Sequence, residues 1–511
     1  MVRRLRAFAI LTCSLTVAAC SGGGKDKDRP GPVAADPPVR GTLIQSPPVR
    51  TASLSSSNLL AAVASVPAAQ QVLELIAPPK CGIDIYNLRY NTVDPKGTAT
   101  TASAAMMIPT GNDPACQGPR PIVVYAHGTR VERSLNQANI TDEDNVEALL
   151  AAVLFTAQGY VLVAPNYVGF DTSALSYNPY LNADQESKDT VDALTAARSA
   201  LPTSFAPTVT DGGKLFVTGY SQGGHVAMAT HRLLQQTGAT ITASAPMSGP
   251  YALAAFADAV FFGQVSRTTP LFFTYTTVGY QRAYGNIYTS PTDLFEARYA
   301  TGIETLLPSA VPRTTLFAQG KLPRDQLFSS TPPDPSFAQF TPATMPADFA
   351  PVFAAGFGAE NLIRNSFRLA YLQDAQLHPD GGFPTVTDGR PAANPANALR
   401  QAFKTNDLRN WVPTAPVLLC AGNEDPTVLY MNTPLIRDYW VANGATAEIR
   451  VVDLDSSIVL NDPYAARKLG FAAAKQAVAA DGGVAAVREA YHSTLLPPFC
   501  LSAVKSFFDA Q

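Results

Sequence analysis

The stretch at residues 219–224, with sequence GYSQGG, constrains the fold of this chain more than any other feature. Before it, residues 214–218 form a compact, mostly apolar run with β-branched residues, which is typical of a buried central strand. After it, apolar residues recur at helical spacing as far as Leu234. The pattern therefore predicts a buried strand that turns directly into a helix around the motif G-x-S-x-G.

Such a turn gives the hydroxyl of Ser221 a chemical role. Glycine at positions 219 and 223 leaves space for a strained serine backbone, with the hydroxyl exposed at the edge of the sheet. The N-terminus of the following helix offers free N–H groups and a positive dipole end to a developing oxyanion. The alternative is a Gly/Ser-rich turn without function. The strand and the helix predicted on its two sides favour a nucleophilic serine.

With these flanks, the segment resembles the nucleophile elbow of the α/β-hydrolase superfamily. The resemblance covers about residues 80–510. It is closer to large secreted lipases and esterases that carry an inserted lid than to the small, lidless cutinases. It implies an α/β-hydrolase fold, with a mostly parallel, doubly wound sheet and Ser221 as the nucleophile.

The order of the other predicted elements agrees with an α/β class. Residues 87–93 and 98–108 alternate apolar and small polar side chains around a turn, which predicts an antiparallel hairpin. Helical patterns at residues 146–158 and 187–200 then separate apolar runs that are typical of buried parallel strands. These strands are predicted at residues 121–126, 160–164, 214–218, 242–247, 416–420 and 447–454.

A long insertion is predicted between two of these strands. Residues 250–412 provide far more chain than a helical connection needs, and they are rich in phenylalanine and tyrosine. We expect a mainly helical lid that covers a pocket, with most of its rings in the lid's own core. The hydrolase core would then consist of residues 58–249 and 413–511.

The resemblance also implies the other two members of a catalytic triad. Residues 422–428, GNEDPTV, match the superfamily's G-x-x-D-x-x-V loop, which implies Asp425 as the acid, with Glu424 as the alternative. Asp425 could also cap a helix beginning near Thr427. Of the five histidines, only His492 follows Asp425, as the order Ser–Asp–His requires. It lies farther beyond the last strand than is usual, after an Ala-rich helical stretch.

An oxyanion hole is implied by the sequence His127-Gly128-Thr129, which follows the strand at 121–126. In the superfamily, H-G at this point precedes the residue whose N–H forms half of the hole. This implies Thr129, with the Gln222 N–H as the other half. We expect His127 to shape the loop, and His225 and His231, on the helix after the serine, to be packing or surface residues.

The N-terminal segment predicts export. A basic start is followed by an apolar stretch too short to span a bilayer, so residues 1–19 are interpreted as a signal peptide. The stretch ends in VAAC at Cys20, which resembles a bacterial lipobox and implies lipid on the Cys20 thiol, although an ordinary signal peptide is the alternative. Ser21 resembles lipoproteins sent to an outer membrane, so we expect a lipoprotein anchored there or at the cell surface. Residues 20–57 are rich in Gly, Pro, Ser and Asp and predict a disordered tether.

Four of the six cysteines remain after Cys13 and Cys20 are set aside, and an even number in an exported chain suggests two disulfides. Three pairings are possible, and free buried thiols are the alternative. We favour Cys81–Cys116, which brackets the hairpin, and Cys420–Cys500. The second pair would tie the strand before the triad acid to the helix after the triad base.

The resemblance implies a serine hydrolase that cleaves carboxylic esters, either small molecules or lipids. A net charge of −3 without a basic cluster argues against nucleic acid as a partner, and no metal or cofactor is expected because no cluster has ligand spacing. A serine peptidase of the aminopeptidase or prolyl-oligopeptidase type is the alternative, since GYSQGG resembles those elbows too. Against it, the N-terminal region is too short for a β-propeller. A third hypothesis is a hydrolase fold that serves only binding or adhesion.

Overall fold

The computed structural model describes residues 38–65, 75, 77–142, 145–204 and 209–511. The predicted signal peptide and the predicted lipid site at Cys20 lie outside these residues. The predicted tether at residues 20–57 extends too far, because residues 49–54 already pair with the sheet as a strand. That strand has exposed and half-buried side chains and is held by its backbone pairing, so no apolar run marks it in the sequence.

In the described part of the chain, nine strands form one sheet in the order β1-β2-β3-β5-β4-β6-β7-β8-β9. Pairing is antiparallel from β1 to β3 and between β3 and β5, and parallel between all the other neighbours. The predicted hairpin and mostly parallel sheet are confirmed. The strands are β1 (Val49–Leu54), β2 (Gly82–Val93), β3 (Ala99–Thr110), β4 (Gly118–Ala126), β5 (Val161–Pro165), β6 (Val209–Tyr220), β7 (Ala243–Met247), β8 (Val417–Ala421) and β9 (Ile449–Asp453).

Helices cover both faces of the sheet. They are α1 (Ser56–Ala64), α2 (Val146–Leu154), α3 (Ala183–Ser204), α4 (Gln222–Gln236), α5 (Leu253–Phe261), α6 (Thr269–Tyr284), α7 (Pro291–Leu294), α8 (Ala297–Ala300), α9 (Arg313–Ala318), α10 (Ala350–Ala355), α11 (Asn365–Leu377), α12 (Ala398–Asn406), α13 (Asn432–Ala442), α14 (Ala465–Ala490) and α15 (Leu496–Asp509). On one face, α2, α14 and α15 bury Leu149, Phe471 and Phe499 in a core shared with the strands. On the other face, α3 and α4 contribute Leu194 and Leu234. None of the described helices is long and apolar enough to cross a membrane.

The predicted lid is a helical insertion that contains α5 to α12. It leaves the sheet after β7 and returns at β8, and these two strands are hydrogen-bonded neighbours. Most of its aromatic side chains lie in one core, in which Phe261 stacks on Tyr371 and to which Val131, Tyr180 and Leu181 from outside the insertion also belong. The core of the insertion is therefore continuous with residues of the hydrolase core.

Two disulfides connect distant parts of the hydrolase core. Cys81 joins Cys116, and Cys420 joins Cys500, which are the two pairings favoured from the sequence. The second links β8 to α15. It thereby ties together the two elements that flank Asp425 and His492.

Candidate active site

Ser221 lies at the turn between the last residue of β6 and the first residue of α4. Its backbone has φ 60° and ψ −120°, a conformation that non-glycine residues adopt only under strain. The Ser221 N–H donates to the Met247 carbonyl at 3.0 Å, and the Ser221 carbonyl accepts from the Gly224 N–H at 2.9 Å. These bonds hold the strained turn in place and fix the direction of the serine side chain.

Two glycines make this turn sterically possible. A Cβ on Gly223 would lie 1.9 Å from the carbonyl oxygen of Ala126, and one on Gly219 would lie 2.3 Å from the carbonyl oxygen of Gly223. Both contacts are with backbone atoms, which cannot move aside as a flexible side chain could. The close approach of β4, β6 and α4 therefore requires glycine at both positions.

The structure brings the three predicted triad residues into one chain of hydrogen bonds. His492 Nε2 is 2.8 Å from Ser221 Oγ, and His492 Nδ1 is 2.6 Å from Asp425 Oδ2. Because a carboxylate only accepts, Nδ1 carries the proton in this arrangement and Nε2 is left to accept from the serine hydroxyl. The geometry therefore suits His492 to remove the Ser221 proton.

Asp425 is fully buried, and both oxygens of its carboxylate accept hydrogen bonds. Oδ1 accepts from the backbone N–H groups of Thr427 and Val428 at 2.8 and 3.1 Å. Oδ2 accepts from the Ser248 hydroxyl at 3.0 Å as well as from His492. The sequence did not reveal the role of Ser248, which is brought to Asp425 by the pairing of β7 with β8.

The alternative acid is elsewhere. Glu424 is on the surface, where its Oε2 accepts from Lys475 Nζ at 2.8 Å. A helix predicted to begin near Thr427 is also absent from this described segment, because α13 begins at Asn432. Asp425 therefore closes a turn after β8 and does not cap a helix.

His492 lies on a π-helical turn, Tyr491–Leu495, that connects α14 directly to α15. The predicted Ala-rich helix is present, but it breaks at Gly483, where φ is 67°. Tyr220 packs on the imidazole with ring centroids 5.0 Å apart, and its hydroxyl donates to the His492 carbonyl at 2.6 Å. The residue before Ser221 thus holds the base, a contact that the sequence motif does not reveal.

Of the two predicted oxyanion donors, Gln222 follows Ser221 directly, and Thr129 follows a glycine that lies close to Ser221. Gln222 is the first residue of α4, and Gly128, next to Thr129, lies so close that a Cβ on it would be 3.7 Å from Ser221 Cβ. Among the described residues, neither the Gln222 N–H nor the Thr129 N–H has a protein acceptor. Their side chains are occupied, since Gln222 Nε2 donates to Glu186 Oε1 at 2.6 Å and Thr129 Oγ1 bonds the Tyr180 hydroxyl at 2.7 Å.

Three other histidines are buried and uncharged at neutral pH. Burial lowers the pKa of His127, His225 and His231 to about 4. His127 Nδ1 donates to the Gly128 carbonyl at 2.6 Å, so this ring shapes the loop before Thr129. His225 Nε2 bonds the Asn406 carbonyl and His231 Nδ1 bonds the Ser244 hydroxyl. These last two are packing residues.

A cavity of about 80 Å³ extends from Ser221 and Gln222 under the lid. Its wall is mostly apolar, with Phe256, Ala257, Val260 and Phe261 from α5 and Phe272, Phe273 and Thr276 from α6. The hydroxyls of Thr269 and Thr276, which also line it, donate to carbonyls of their own chain segment. The cavity therefore presents mainly carbon surface to a substrate.

The described residues include no group of His, Cys, Asp or Glu arranged to hold a metal ion.

No protein-family model matches this chain, and a search of curated proteins found no match. Solved structures do match. A ligand-bound form of the rice cell wall degrading esterase LipA from Xanthomonas oryzae is 26% identical, covering 93% of this chain and 100% of that chain with a TM-score of 0.67. A Legionella pneumophila protein described as a hydrolase is 18% identical over 90% of this chain and 96% of that chain, with a TM-score of 0.62.

The strand order, the turn at Ser221 and these similarities define an α/β-hydrolase fold. Within this class, the similarity to the esterase LipA identifies the chain as a carboxylic ester hydrolase. Both predictions, of the fold and of the enzyme class, are confirmed.

Proposed function

We propose that this enzyme cleaves carboxylic esters through Ser221, Asp425 and His492, with an acyl-enzyme intermediate. The observation that carries the proposal is the unbroken series of hydrogen bonds from Asp425 through His492 to Ser221, at 2.6 and 2.8 Å. His492 Nε2 takes the hydroxyl proton while Ser221 Oγ attacks the ester carbonyl carbon. Asp425 keeps the imidazole in the correct tautomer and stabilises its positive charge.

The tetrahedral intermediate places a negative charge on the former carbonyl oxygen. The N–H groups of Gln222 and Thr129 donate to that oxygen, and losing one such donor typically costs about 10²–10³ in rate. The intermediate collapses as His492 gives its proton to the leaving alcohol. Water then attacks the acyl-enzyme, with His492 as the general base, and releases the acid and free Ser221.

The apolar cavity indicates where the substrate's carbon chain goes. The wall of the cavity is formed by aromatic and aliphatic side chains of α5 and α6. Binding an acyl chain there would therefore remove apolar surface of the chain from contact with water, which is favourable. We propose that esters with an apolar acyl group, from small molecules or lipids, are the substrates. An ester with only a short acyl group would leave most of this surface uncovered.

We also propose that the enzyme is exported and anchored to a membrane through lipid on Cys20. Two disulfides are typical of chains that fold outside the cytoplasm, which supports export. Labelling cells with a radioactive fatty acid tests the anchor. The full chain should incorporate label and partition with membranes, and Cys20→Ala should do neither. Equal labelling of the two chains would contradict the anchor.

The catalytic proposal is tested by comparing substrates on the purified chain. We expect hydrolysis of p-nitrophenyl esters, no hydrolysis of aminoacyl anilides, and labelling by a fluorophosphonate. Ser221→Ala should abolish hydrolysis and labelling, with an unchanged circular dichroism spectrum. Turnover of anilides without turnover of esters would favour the peptidase alternative. A folded chain that neither hydrolyses esters nor takes the label would indicate a binding role.

A further inference from the structure

A second carboxyl group, that of Glu147 on α2, lies behind the predicted oxyanion loop. Its oxygens accept from the backbone N–H of Gly128 at 2.9 and 3.2 Å. Oε1 also accepts from the hydroxyl of Tyr125, a fully buried residue of β4, at 2.7 Å. Burial raises the pKa of Glu147. The side chain is half-buried, and its carboxyl group binds one particular backbone N–H.

Gly128 separates Glu147 from the nucleophile. A Cβ on Gly128 would lie 3.4 Å from Glu147 Oε2 and 3.7 Å from Ser221 Cβ. Glu147 is therefore not expected to touch the substrate. It contacts the loop that supplies the next N–H, that of Thr129.

The contacts of Gly128 control the direction of that N–H. The peptide plane before Gly128 contains its N–H, which Glu147 holds. The plane after it contains both the Gly128 carbonyl and the Thr129 N–H, and His127 Nδ1 holds this carbonyl at 2.6 Å. Glycine rotates freely about φ and ψ, so a loop with only one plane held could turn the Thr129 N–H away. With both planes held, the donor is fixed before substrate arrives.

We propose that Glu147 is a positioning residue of the active site, which accepts the Gly128 N–H and thereby directs the Thr129 N–H toward the oxyanion. This rests on the proposed ester hydrolysis through Ser221. The ligand served by the arrangement is the tetrahedral intermediate. The substrate in its ground state gains little, because its carbonyl oxygen carries no full charge.

Three variants test the proposal, with kcat and KM on a p-nitrophenyl ester and the Ki of an alkylboronic acid, which forms a tetrahedral adduct on serine. Glu147→Ala removes the acceptor, and Glu147→Asp withdraws it by one methylene with less disturbance of packing. Both should lower kcat by about tenfold or more, part of the effect of losing an oxyanion donor, with KM within about threefold. Boronate affinity should fall with kcat. Glu147→Gln keeps an oxygen acceptor and should stay within about threefold of the wild type.

Asp189 provides a matched control. It is fully buried, whereas Glu147 is half-buried, and like Glu147 it accepts from one tyrosine hydroxyl, that of Tyr90 at 2.8 Å, and from one backbone N–H, that of Val168 at 2.8 Å. Asp189→Ala should lower the free energy of unfolding as Glu147→Ala does, but it should leave kcat and boronate affinity within about threefold of wild type. Urea unfolding of each variant provides the comparison of stability.

Three results would overturn the proposal. One is wild-type kcat and boronate affinity in folded Glu147→Asp. Another is a loss in Glu147→Gln as large as in Glu147→Ala, which would assign the effect to removal of the negative charge. The third is an equal loss of kcat in Asp189→Ala, which would make it an effect of general destabilisation. Failure of the proposed function is distinct, because the wild type itself would then neither hydrolyse esters nor react with a fluorophosphonate.

Discussion

The Ser248 hydroxyl donates at 3.0 Å to Asp425 Oδ2, the same oxygen that accepts from His492 Nδ1 at 2.6 Å. Since the other carboxylate oxygen accepts two backbone N–H groups, the plane of the carboxylate is fixed from both sides. The orientation of the imidazole toward Ser221 therefore depends on a residue at the end of β7 as well as on Asp425 itself.

Ser248→Ala should consequently lower kcat by about tenfold with little change in KM, because one of four hydrogen bonds to a charged group is lost. Asp425→Asn should cost about 10⁴, since an amide favours the wrong imidazole tautomer. Steady-state kinetics on one ester measures both. Ser244→Ala is the control: its hydroxyl, also on β7, bonds His231, and kcat should be unchanged. A loss in Ser244→Ala equal to that in Ser248→Ala would contradict this account.

Gly223→Ala should prevent folding or destabilise the chain by about 4 kcal/mol or more, because the new Cβ overlaps the Ala126 carbonyl and the backbone must move. Gly238→Ala is the control. It has φ +76° and open space around it, so only conformational strain of about 1 kcal/mol is expected. Urea unfolding compares the two. Similar stability of both variants would mean that the close approach of α4 and β4 is not rigid.

Ala257→Phe should shorten the range of accepted acyl chains. Ala257 lines the cavity on α5, and a phenyl ring would occupy space that an acyl chain otherwise fills. We expect kcat/KM on a p-nitrophenyl octanoate to fall by about tenfold or more, at about 1–3 kcal/mol per excluded methylene. The acetate ester should change by less than threefold, which provides the internal control. Parallel loss on both esters would place the acyl chain outside this cavity.

Removing the disulfide between Cys420 and Cys500 by a double alanine substitution should lower both stability and activity. Each disulfide contributes about 2–4 kcal/mol. Only this one joins β8, which leads to Asp425, with α15, which follows His492, so only its loss should reduce kcat at a temperature where the chain is folded. The Cys81→Ala/Cys116→Ala variant should lose stability and keep its kcat. An equal fall in kcat for both double variants would argue against the link to the triad.

Glu186→Gln should change how stability depends on pH. Burial raises the pKa of Glu186 from 4.5 to about 8, so the folded chain keeps the carboxyl protonated where the unfolded chain ionises. The stability that this group contributes is fully present below about pH 4.5 and is lost as pH rises to about 8. Glu186→Gln retains an oxygen that accepts from Gln222 Nε2 but has no carboxyl group to ionise. Its free energy of unfolding should therefore rise relative to that of wild type by up to about 1.4 kcal/mol for each pH unit in that window. Urea unfolding at pH 5 and pH 8 measures the difference in free energy of unfolding between the variant and wild type. The same difference at both pH values would contradict the raised pKa of Glu186.

The sequence predicted Ser221, Asp425 and His492 because their chemistry imposes an order and a local motif on the chain. Ser248 and Glu147 have no such signature. Their contacts depend on the pairing of β7 with β8 and on where α2 packs, which a single sequence does not encode locally. The strand β1 was not predicted because it is held by backbone pairing, and its exposed and half-buried side chains form no apolar run. The π-helical turn was missed because residue periodicity does not distinguish it from an ordinary helix.

The placement of His492 within helical backbone restricts the length of the segment before it. Adding or deleting one residue between Gly483 and His492 would rotate the imidazole by about 100° around the helix axis and shift it by about 1.5 Å. A loop could absorb such a change locally, whereas here the ring would face away from both of its partners. Insertions in enzymes built this way should therefore collect before the break at Gly483, where an altered length leaves the general base in register.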